Sequence, residues 1–360
     1  MKRSFPVLRG RGTEEDPANR FERLHIEPLP EDDEDPAARS TQYFRDASRS
    51  VLTRNHSPDV GFDWSLNPYR GCEHGCIYCY ARPTHEYLGL SAGLDFESKI
   101  FVKPDAPELL ERQLASSRWK SEHIAMSGVT DPYQPVERRL GITRGCMEVL
   151  VRARHPVAVV TKSRLVERDA DLLGELARYD AAHVAISITT LDRSLQRAME
   201  PRASPPEHRL EAVRTLVAAG VPVTVFVAPV IPGLTDHEMP EIIEAAAEAG
   251  ATGIGYMILR LPGAVRQIFL SWMDDHCPDR AEKVKSRLRS LHGGKLNESA
   301  FGKRLRGEGP FADQTRSLFH VSREKAGFPR RVPALSTEHF RRPGRPPRAA
   351  APAKPQLDLF

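Results

Sequence analysis

The stretch CEHGCIYC occupies residues 72–79 and places three of the five cysteines of this 360-residue chain within eight positions. Short spacings of this kind let several thiolates from one loop converge on one metal centre. An iron–sulfur cluster is normally held by four thiolates, so three of them leave one iron without a protein ligand. An open coordination position is where a metal can act on a bound molecule. We therefore interpret Cys72, Cys76 and Cys79 as metal ligands in a reactive centre.

Two other interpretations of the three cysteines stay open at this point. A zinc site would need a histidine, with His74 or His85 nearest in the sequence, but structural zinc sites usually pair two short Cys/His motifs. No second motif accompanies Cys146 or Cys277, which stand alone. A disulfide is disfavoured because the trio is odd and no apolar signal core follows residues 1–3, which indicates a reducing compartment.

Strand-like and helix-like segments alternate outward from this stretch. Besides a strand just before Cys72, apolar runs predict strands at 122–127, 157–161, 183–188, 221–228 and 253–259. Amphipathic segments predict helices at 106–115, 143–153, 168–179, 207–219 and 236–249. Apolar strands that alternate with amphipathic helices are typical of parallel βα units. Six units are too few for a closed eight-fold barrel, so the sequence predicts an α/β fold with an open sheet.

Composition divides the chain into four segments. Residues 1–45 and 341–360 are rich in charge, Pro or Arg, and we expect both to be disordered tails. Between them we expect a catalytic core at 46–275 and a helical extension at 276–340. No apolar run reaches the roughly 18 residues that a membrane span needs. We expect a cytoplasmic monomer without membrane contact, and the net charge of +4 does not by itself indicate nucleic acid.

The cysteine pattern C-x3-C-x2-C, with the aromatic Tyr78 before its last cysteine, resembles the motif of the radical S-adenosylmethionine (SAM) superfamily. The flanking segments NPYRG at 67–71 and YARPTH at 80–85 resemble the subgroup related to spore photoproduct lyase. The resemblance covers about residues 50–270. It implies a [4Fe–4S] cluster on the three thiolates, SAM chelated to the fourth iron, and a partial (β/α)6 TIM-type barrel. It also implies an electron donor such as flavodoxin or ferredoxin.

The loop after the second strand is the first candidate SAM site. In parallel α/β folds, ligands lie at the carboxyl ends of the strands. The segment SGVTD at 127–131 stands where the family has a Gly-Gly-Glu-like segment that holds the SAM amino group. The resemblance implies cofactor binding by Ser127, Gly128, Thr130 and Asp131, although the departure from Gly-Gly-Glu leaves the side-chain roles open. An ordinary Asp-Pro turn is the alternative.

Other candidate SAM-binding residues follow from the same resemblance. Ser187 and Thr189 lie on one face of the fourth strand, at the position that faces the SAM ribose or carboxylate. Small hydroxyls are also common packing residues. Arg202 can pair with the SAM carboxylate in a bidentate manner, unless it is an ordinary surface arginine, and Tyr78 accompanies the cluster. Lys162, at the end of the third strand, either contacts a carboxylate or phosphate group or lies in solvent.

Cys146 is a candidate hydrogen-atom donor. A thiol donates a hydrogen atom to a substrate radical in spore photoproduct lyase, and the resemblance extends this role to Cys146. A single cysteine on a helix is more often a small buried apolar residue. The hydrogen-atom donor therefore stays open.

The last five residues of the sequence, QLDLF at 356–360, carry a second signal. They resemble the Q-L-x-L-F peptide by which bacterial replication and repair proteins bind the DNA sliding clamp. Leu357, Leu359 and Phe360 can fill an apolar pocket while the Gln356 amide forms hydrogen bonds beside it. The alternative is an apolar tail without a partner.

Together these features predict a radical SAM enzyme that acts on nucleic acid, such as damaged or modified DNA. One alternative is a radical SAM enzyme that acts on a peptide or small molecule. The other is a non-catalytic metal-binding adaptor that is recruited to the clamp. Because no second cysteine motif is present, the sequence predicts a single cluster.

Overall fold

The computed structural model describes residues 10–13, 15, 17 and 40–344. Most of the N-terminal segment that we expect to be disordered, and the peptide at 356–360, lie outside these residues.

Two sheets account for the strands of the described residues, which are β1 (Gln42–Arg45), β2 (Leu52–Arg54), β3 (Trp64–Leu66), β4 (Tyr69–Arg70), β5 (Lys99–Val102), β6 (Ile124–Met126), β7 (Val157–Thr161), β8 (Ala182–Ile188), β9 (Val223–Val230) and β10 (Gly253–Ile258). The main sheet has the order β10-β9-β8-β7-β6-β3-β2. Strands β3 and β6 to β10 are parallel, and β2 pairs antiparallel with β3 at one edge. These six parallel strands form the open partial (β/α)6 barrel that the sequence predicts.

The helices of the described residues are α1 (Leu94–Ser98), α2 (Ala106–Ala115), α3 (Glu137–Leu140), α4 (Ile142–Ala153), α5 (Ala170–Ala177), α6 (Arg193–Met199), α7 (Pro206–Ala218), α8 (Met239–Glu248), α9 (Val265–His276), α10 (Pro278–Leu291) and α11 (Pro310–Lys325). Short 3-10 helices occupy Arg82–Leu88, Arg164–Asp169 and Asp236–Glu238. Every helix predicted between the strands is present within a few residues of its expected bounds. The short helix α6 was not predicted, and it begins where Asp192 accepts hydrogen bonds from Ser194 N and Leu195 N.

The apolar strand residues explain why the sheet is central. Val159, Val184 and Val225 are fully buried, as are the residues that face them from the helices, such as Leu150 and Leu216. Burial on both faces is what a parallel sheet between helices requires. The carboxyl ends of these strands therefore meet at one mouth, where the loops that follow them lie.

The strand expected just before Cys72 is divided between the two sheets. Its first part, β3, joins the main sheet, whereas β4 pairs with β5 and β5 pairs with β1 in a three-stranded sheet. Pro68 lies between the two parts and has no N–H to donate to a ladder; its carbonyl accepts a hydrogen bond from Lys103 N. Strand β1 lies at the end of the segment expected to be a disordered tail, and its side chains are exposed, which explains the missing apolar signal.

Further described residues of the two expected tails contact the core. Gly12 N donates a hydrogen bond of 2.8 Å to Glu97 Oε2. At the other end, Arg341 N donates to Ala153 O at 2.7 Å. No helix within these described stretches is both long and apolar enough to cross a membrane.

Candidate active site

The three cysteines lie on one loop that leaves β4 and passes over the mouth of the barrel. Cys72 N donates to Phe96 O at 2.9 Å, and Ile77 N donates to Met199 O at 3.0 Å, so both ends of the loop are anchored to other elements. Gly75 has a φ of +67°, and a Cβ there would lie 2.6 Å from Glu97 Oε2. Only glycine combines this backbone conformation with so close a contact.

A buried ion pair stabilises the cysteine loop. Arg82 and Glu97 are both fully buried and form a salt bridge through Arg82 Nη2 and Glu97 Oε1. Arg82 Nε donates to Cys76 O at 2.9 Å, and its Nη1 donates to Gly93 O at 3.0 Å. The guanidinium therefore ties the centre of the cysteine loop to the segment before α1.

The donor set of the loop fits an iron–sulfur cluster. Cys72 and Cys76 are each only 7% exposed, Cys79 is half-buried, and none of the three forms a disulfide. Burial raises the pKa of the Cys76 thiol and raises that of Cys79 to about 11. These two thiols therefore keep their protons until a metal displaces them, since coordination deprotonates a thiol outright. Three adjacent thiols near the barrel mouth are suitable ligands for a cluster with one open iron.

The structure argues against the zinc interpretation. His74 directs Nδ1 toward Asp131 Oδ2 at 3.3 Å. Burial would lower the pKa of His74, but the charges of Asp131 and Cys72 raise it to about 10. His85 bonds through Nε2 to Lys99 O at 2.9 Å. Both histidines that could complete a zinc site therefore already have partners within the protein.

A buried polar network lies beside the loop and centres on Glu200. Glu200 Oε1 accepts from Lys162 Nζ at 3.2 Å and from Thr189 Oγ1 at 2.8 Å, and it also contacts the Tyr78 hydroxyl. Its other oxygen pairs with Arg209, which is itself buried. Burial opposes ionisation, but the charges of Arg209 and Lys162 hold the pKa of Glu200 well below its usual range. The network joins the cysteine loop to the ends of β7 and β8.

The loop after β6 contacts the cysteine loop directly. Thr130 Oγ1 donates to Gly71 O at 2.6 Å. Asp131 accepts hydrogen bonds from Thr161 Oγ1 at 2.7 Å and from Lys162 N at 2.8 Å, besides its contact with His74. The side chains of Thr130 and Asp131 are thus already bonded within the protein and hold three loops together.

The remaining predicted cofactor residues are distributed around the same mouth. Ser127 Oγ donates to Thr130 O at 3.2 Å, and Gly128 follows it with a φ of +120°. Ser187 is buried, and its carbonyl accepts from Arg209 Nη1 at 2.8 Å. Arg202 Nη2 donates to Glu73 Oε1 at 2.9 Å, so a carboxylate of the cysteine loop already pairs with this guanidinium.

Cys146 packs in a different apolar cluster from Cys72 and Cys76. It is fully buried on α4, within the apolar core between this helix and the sheet. Burial raises the pKa of its thiol, and its charged neighbours are Glu137, Glu108 and Lys103, none of which belongs to the loop. The structure therefore places Cys146 where the packing interpretation expects it.

Sequence reasoning missed two buried charged groups of this region, Glu200 and Arg209. Glu200 lies between Met199 and Arg202. From the sequence, only Arg202 of this segment is a candidate SAM ligand. Tyr78 and Glu200 are 122 residues apart in sequence, so no local pattern connects them. One signal could have indicated a role for Glu200. It directly follows α6, in the segment after the fourth parallel strand, and such segments carry functional residues in this fold class.

Comparisons with known proteins agree with this arrangement. Residues 66–246 match the model of the radical SAM superfamily. An uncharacterized protein of Mycobacterium tuberculosis is 36% identical over 233 residues, which cover 64% of this chain and 67% of that protein. An uncharacterized protein of Methanocaldococcus jannaschii is 30% identical over 178 residues, covering 49% and 64%. Spore photoproduct lyase complexed with dinucleoside spore photoproduct aligns with a TM-score of 0.56 at 15% identity over 79% of each chain, and so shares the fold.

Proposed function

Because the chain belongs to the radical SAM superfamily, we propose that it directs radical chemistry at a nucleic-acid substrate. The enzyme uses a [4Fe–4S] cluster and SAM as its cofactors. The single observation that carries the proposal is the set of three buried thiols, Cys72, Cys76 and Cys79, on one loop near the mouth of an open parallel barrel. The same fold in spore photoproduct lyase holds a dinucleoside spore photoproduct, which supports nucleic acid as the substrate class.

When bound, these cofactors would supply a 5′-deoxyadenosyl radical by reductive cleavage of SAM, and that radical would abstract hydrogen from the substrate. The chain's own residues hold and orient these groups. Cys72, Cys76 and Cys79 provide the thiolates. The Arg82–Glu97 pair fixes the loop that carries them.

The proposal includes the candidate SAM-binding residues of the sequence. Ser127, Gly128, Ser187, Thr189 and Arg202 surround the mouth of the barrel. Ser127, Gly128, Thr189 and Arg202 lie in loops that follow elements of the barrel, and Ser187 lies near the carboxyl end of β8.

Three further candidates act mainly through their neighbours. Thr130 and Asp131 shape the loop through the hydrogen bonds that they already form. Tyr78 is held by Thr189 at 3.0 Å and by Glu200. Glu200 in turn fixes Lys162, whose ammonium lies 5.6 Å from the centre of the Tyr78 ring. In this proposal, the Lys162 ammonium that these contacts hold is a counter-charge for the carboxylate of SAM.

Recruitment to the sliding clamp is the second part of the proposal. It rests on the sequence of residues 356–360, which lie outside the described residues. A peptide of residues 345–360 should bind a bacterial clamp almost as tightly as the full protein, with micromolar affinity or about −8 kcal/mol. Removal of Leu359 and Phe360 should abolish binding because these side chains supply most of the apolar area. Absence of binding at high micromolar clamp would remove this part of the proposal.

The substrate class is tested by following the abstracted hydrogen. The reconstituted enzyme is incubated with SAM, dithionite and deuterated DNA that has been irradiated or left intact. Deuterium in the 5′-deoxyadenosine, measured by mass spectrometry, is the expected result for one of the DNA samples. A Cys76→Ala variant is the control and should yield no 5′-deoxyadenosine. Deuterium transfer from labelled peptides or metabolites, but from no nucleic acid, would contradict the proposal.

A further inference from the structure

Two exposed aromatic side chains near the cysteine loop each lie against an arginine. Tyr80, which directly follows Cys79, is 51% exposed, and Arg260 Cζ lies 5.9 Å from the centre of its ring. Phe301 is 57% exposed, and Arg304 Cζ lies 4.5 Å from its ring centre. Arg260 comes two residues after the end of β10. Burial and the nearby charge of Arg304 lower the pKa of Arg260, so the two arginines and the rings that they contact lie in one region.

Arg260 carries a hydrogen-bond donor without an acceptor. Its Nε is buried and has no hydrogen-bond partner, and Arg260 forms no ion pair with any residue that the structure describes. A buried donor that is left unpaired destabilises the protein. Arg260 as a whole is only partly buried, so an anionic ligand beside Tyr80 can approach its guanidinium.

Arg304, by contrast, is used to position Phe301. Its Nε pairs with Asp59 Oδ2, and Gly302 N donates to Asp59 Oδ1 at 2.7 Å. Asp59 lies between β2 and β3 at one edge of the main sheet, while Phe301 follows α10, beyond the β10 edge. The bonds therefore join the two sides of the open barrel and hold the Phe301 ring in place before any ligand binds.

We infer that Tyr80, Arg260 and Phe301 form a binding surface for single-stranded nucleic acid. Bases stack on the two exposed rings, and a phosphate oxygen accepts a hydrogen bond from Arg260. Aromatic rings combined with cations are how proteins bind single strands with little dependence on sequence, because every base has a stacking face. Charge-assisted bonds from arginine suit phosphate oxygens in particular. The inference rests on the proposed function and adds the residues that hold the strand next to the cluster loop.

The experiment measures binding of a fluorescein-labelled single-stranded 12-mer to the reconstituted full-length protein by anisotropy. Tyr80→Ala and Phe301→Ala should each weaken binding about 5- to 150-fold, the range for loss of one stacked base. Tyr80→Phe should retain most of the affinity because it keeps the ring. Arg260→Gln should reduce the salt dependence by about 0.7 in log–log slope, which corresponds to one phosphate of a single strand.

Matched controls separate this surface from general effects of substitution. Phe44→Ala removes a ring that is 41% exposed on the small sheet, and Arg330→Gln removes a cation whose side chain is 83% exposed. Both should bind as the wild type does. If the wild type binds but the Phe301 and Arg260 variants match these controls, the surface is refuted while the proposed function stands. If the wild type does not bind at high micromolar strand, the nucleic-acid part of the proposed function falls as well.

Discussion

Replacement of Arg82 by Met should destabilise the protein and loosen the cysteine loop. Arg82 and Glu97 are both fully buried, and the substitution leaves the Glu97 carboxylate without its cation. Removing one partner of a buried ion pair lowers the free energy of unfolding by about 3–5 kcal/mol. That is a large part of the roughly 5–15 kcal/mol by which folded proteins are stable. The backbone carbonyl of Cys76 also loses its hydrogen-bond donor, so the cysteine loop is held less firmly. The iron bound per chain should therefore fall although all three thiolates are present.

Urea denaturation followed by circular dichroism measures the free energy of unfolding, and an iron assay after anaerobic reconstitution measures cluster loading. The matched control is Arg152→Met, since Arg152 pairs with Glu111 at 3.2 Å on the surface with a side chain that is 57% exposed. Exposed pairs contribute about 0–1 kcal/mol. The double variant Arg82→Met/Glu97→Gln should be less destabilised than the sum of the two single variants, because no uncompensated charge remains. A loss below about 1 kcal/mol for Arg82→Met, with unchanged iron, would refute the role of this pair.

Three further predictions follow from local features of the structure. Gly75→Ala should prevent cluster loading, because Gly75 has a φ of +67° and a Cβ would meet Glu97, whereas Gly61→Ala, with open space around it, should load normally in the same iron assay. Cys146→Ala should retain its iron, because this thiol is in the core away from the loop; loss of iron would show that the ligands are wrongly assigned. Burial lowers the pKa of His155 to about 4, below the roughly 6.5 of the unfolded chain, so the unfolded state takes up its proton first. Stability should therefore decline as the pH falls from about 6.5 to 4, by up to about 3 kcal/mol, and His155→Gln should flatten that slope in urea titrations; an unchanged slope would contradict the assignment.

The fold was predictable because its signals are local. Apolar runs and amphipathic segments each occupy consecutive residues, so β7 agrees with its predicted bounds and α2 matches residue for residue. Strand β1 gave no such signal, because all four of its side chains are exposed and only backbone pairing with β5 defines it.

The loop that carries the three cysteines was predictable for the same reason, since their spacing is short. The residues that hold them in place were not. Arg82 and Glu97 are 15 residues apart, and Glu200 and Tyr78 are 122 residues apart. Charged residues are usually exposed, and only the folded chain shows that Arg82 is buried against Glu97 and that Glu200 is buried against Tyr78.

Anaerobic reconstitution followed by a SAM cleavage assay tests the central claim most directly. The purified chain, supplied with iron and sulfide, should turn brown and bind about four irons, as one [4Fe–4S] cluster requires. Reduced with dithionite, it should convert SAM to 5′-deoxyadenosine, and alanine at Cys72, Cys76 or Cys79 should abolish both properties. A colourless protein that binds one zinc and leaves SAM intact would contradict the account.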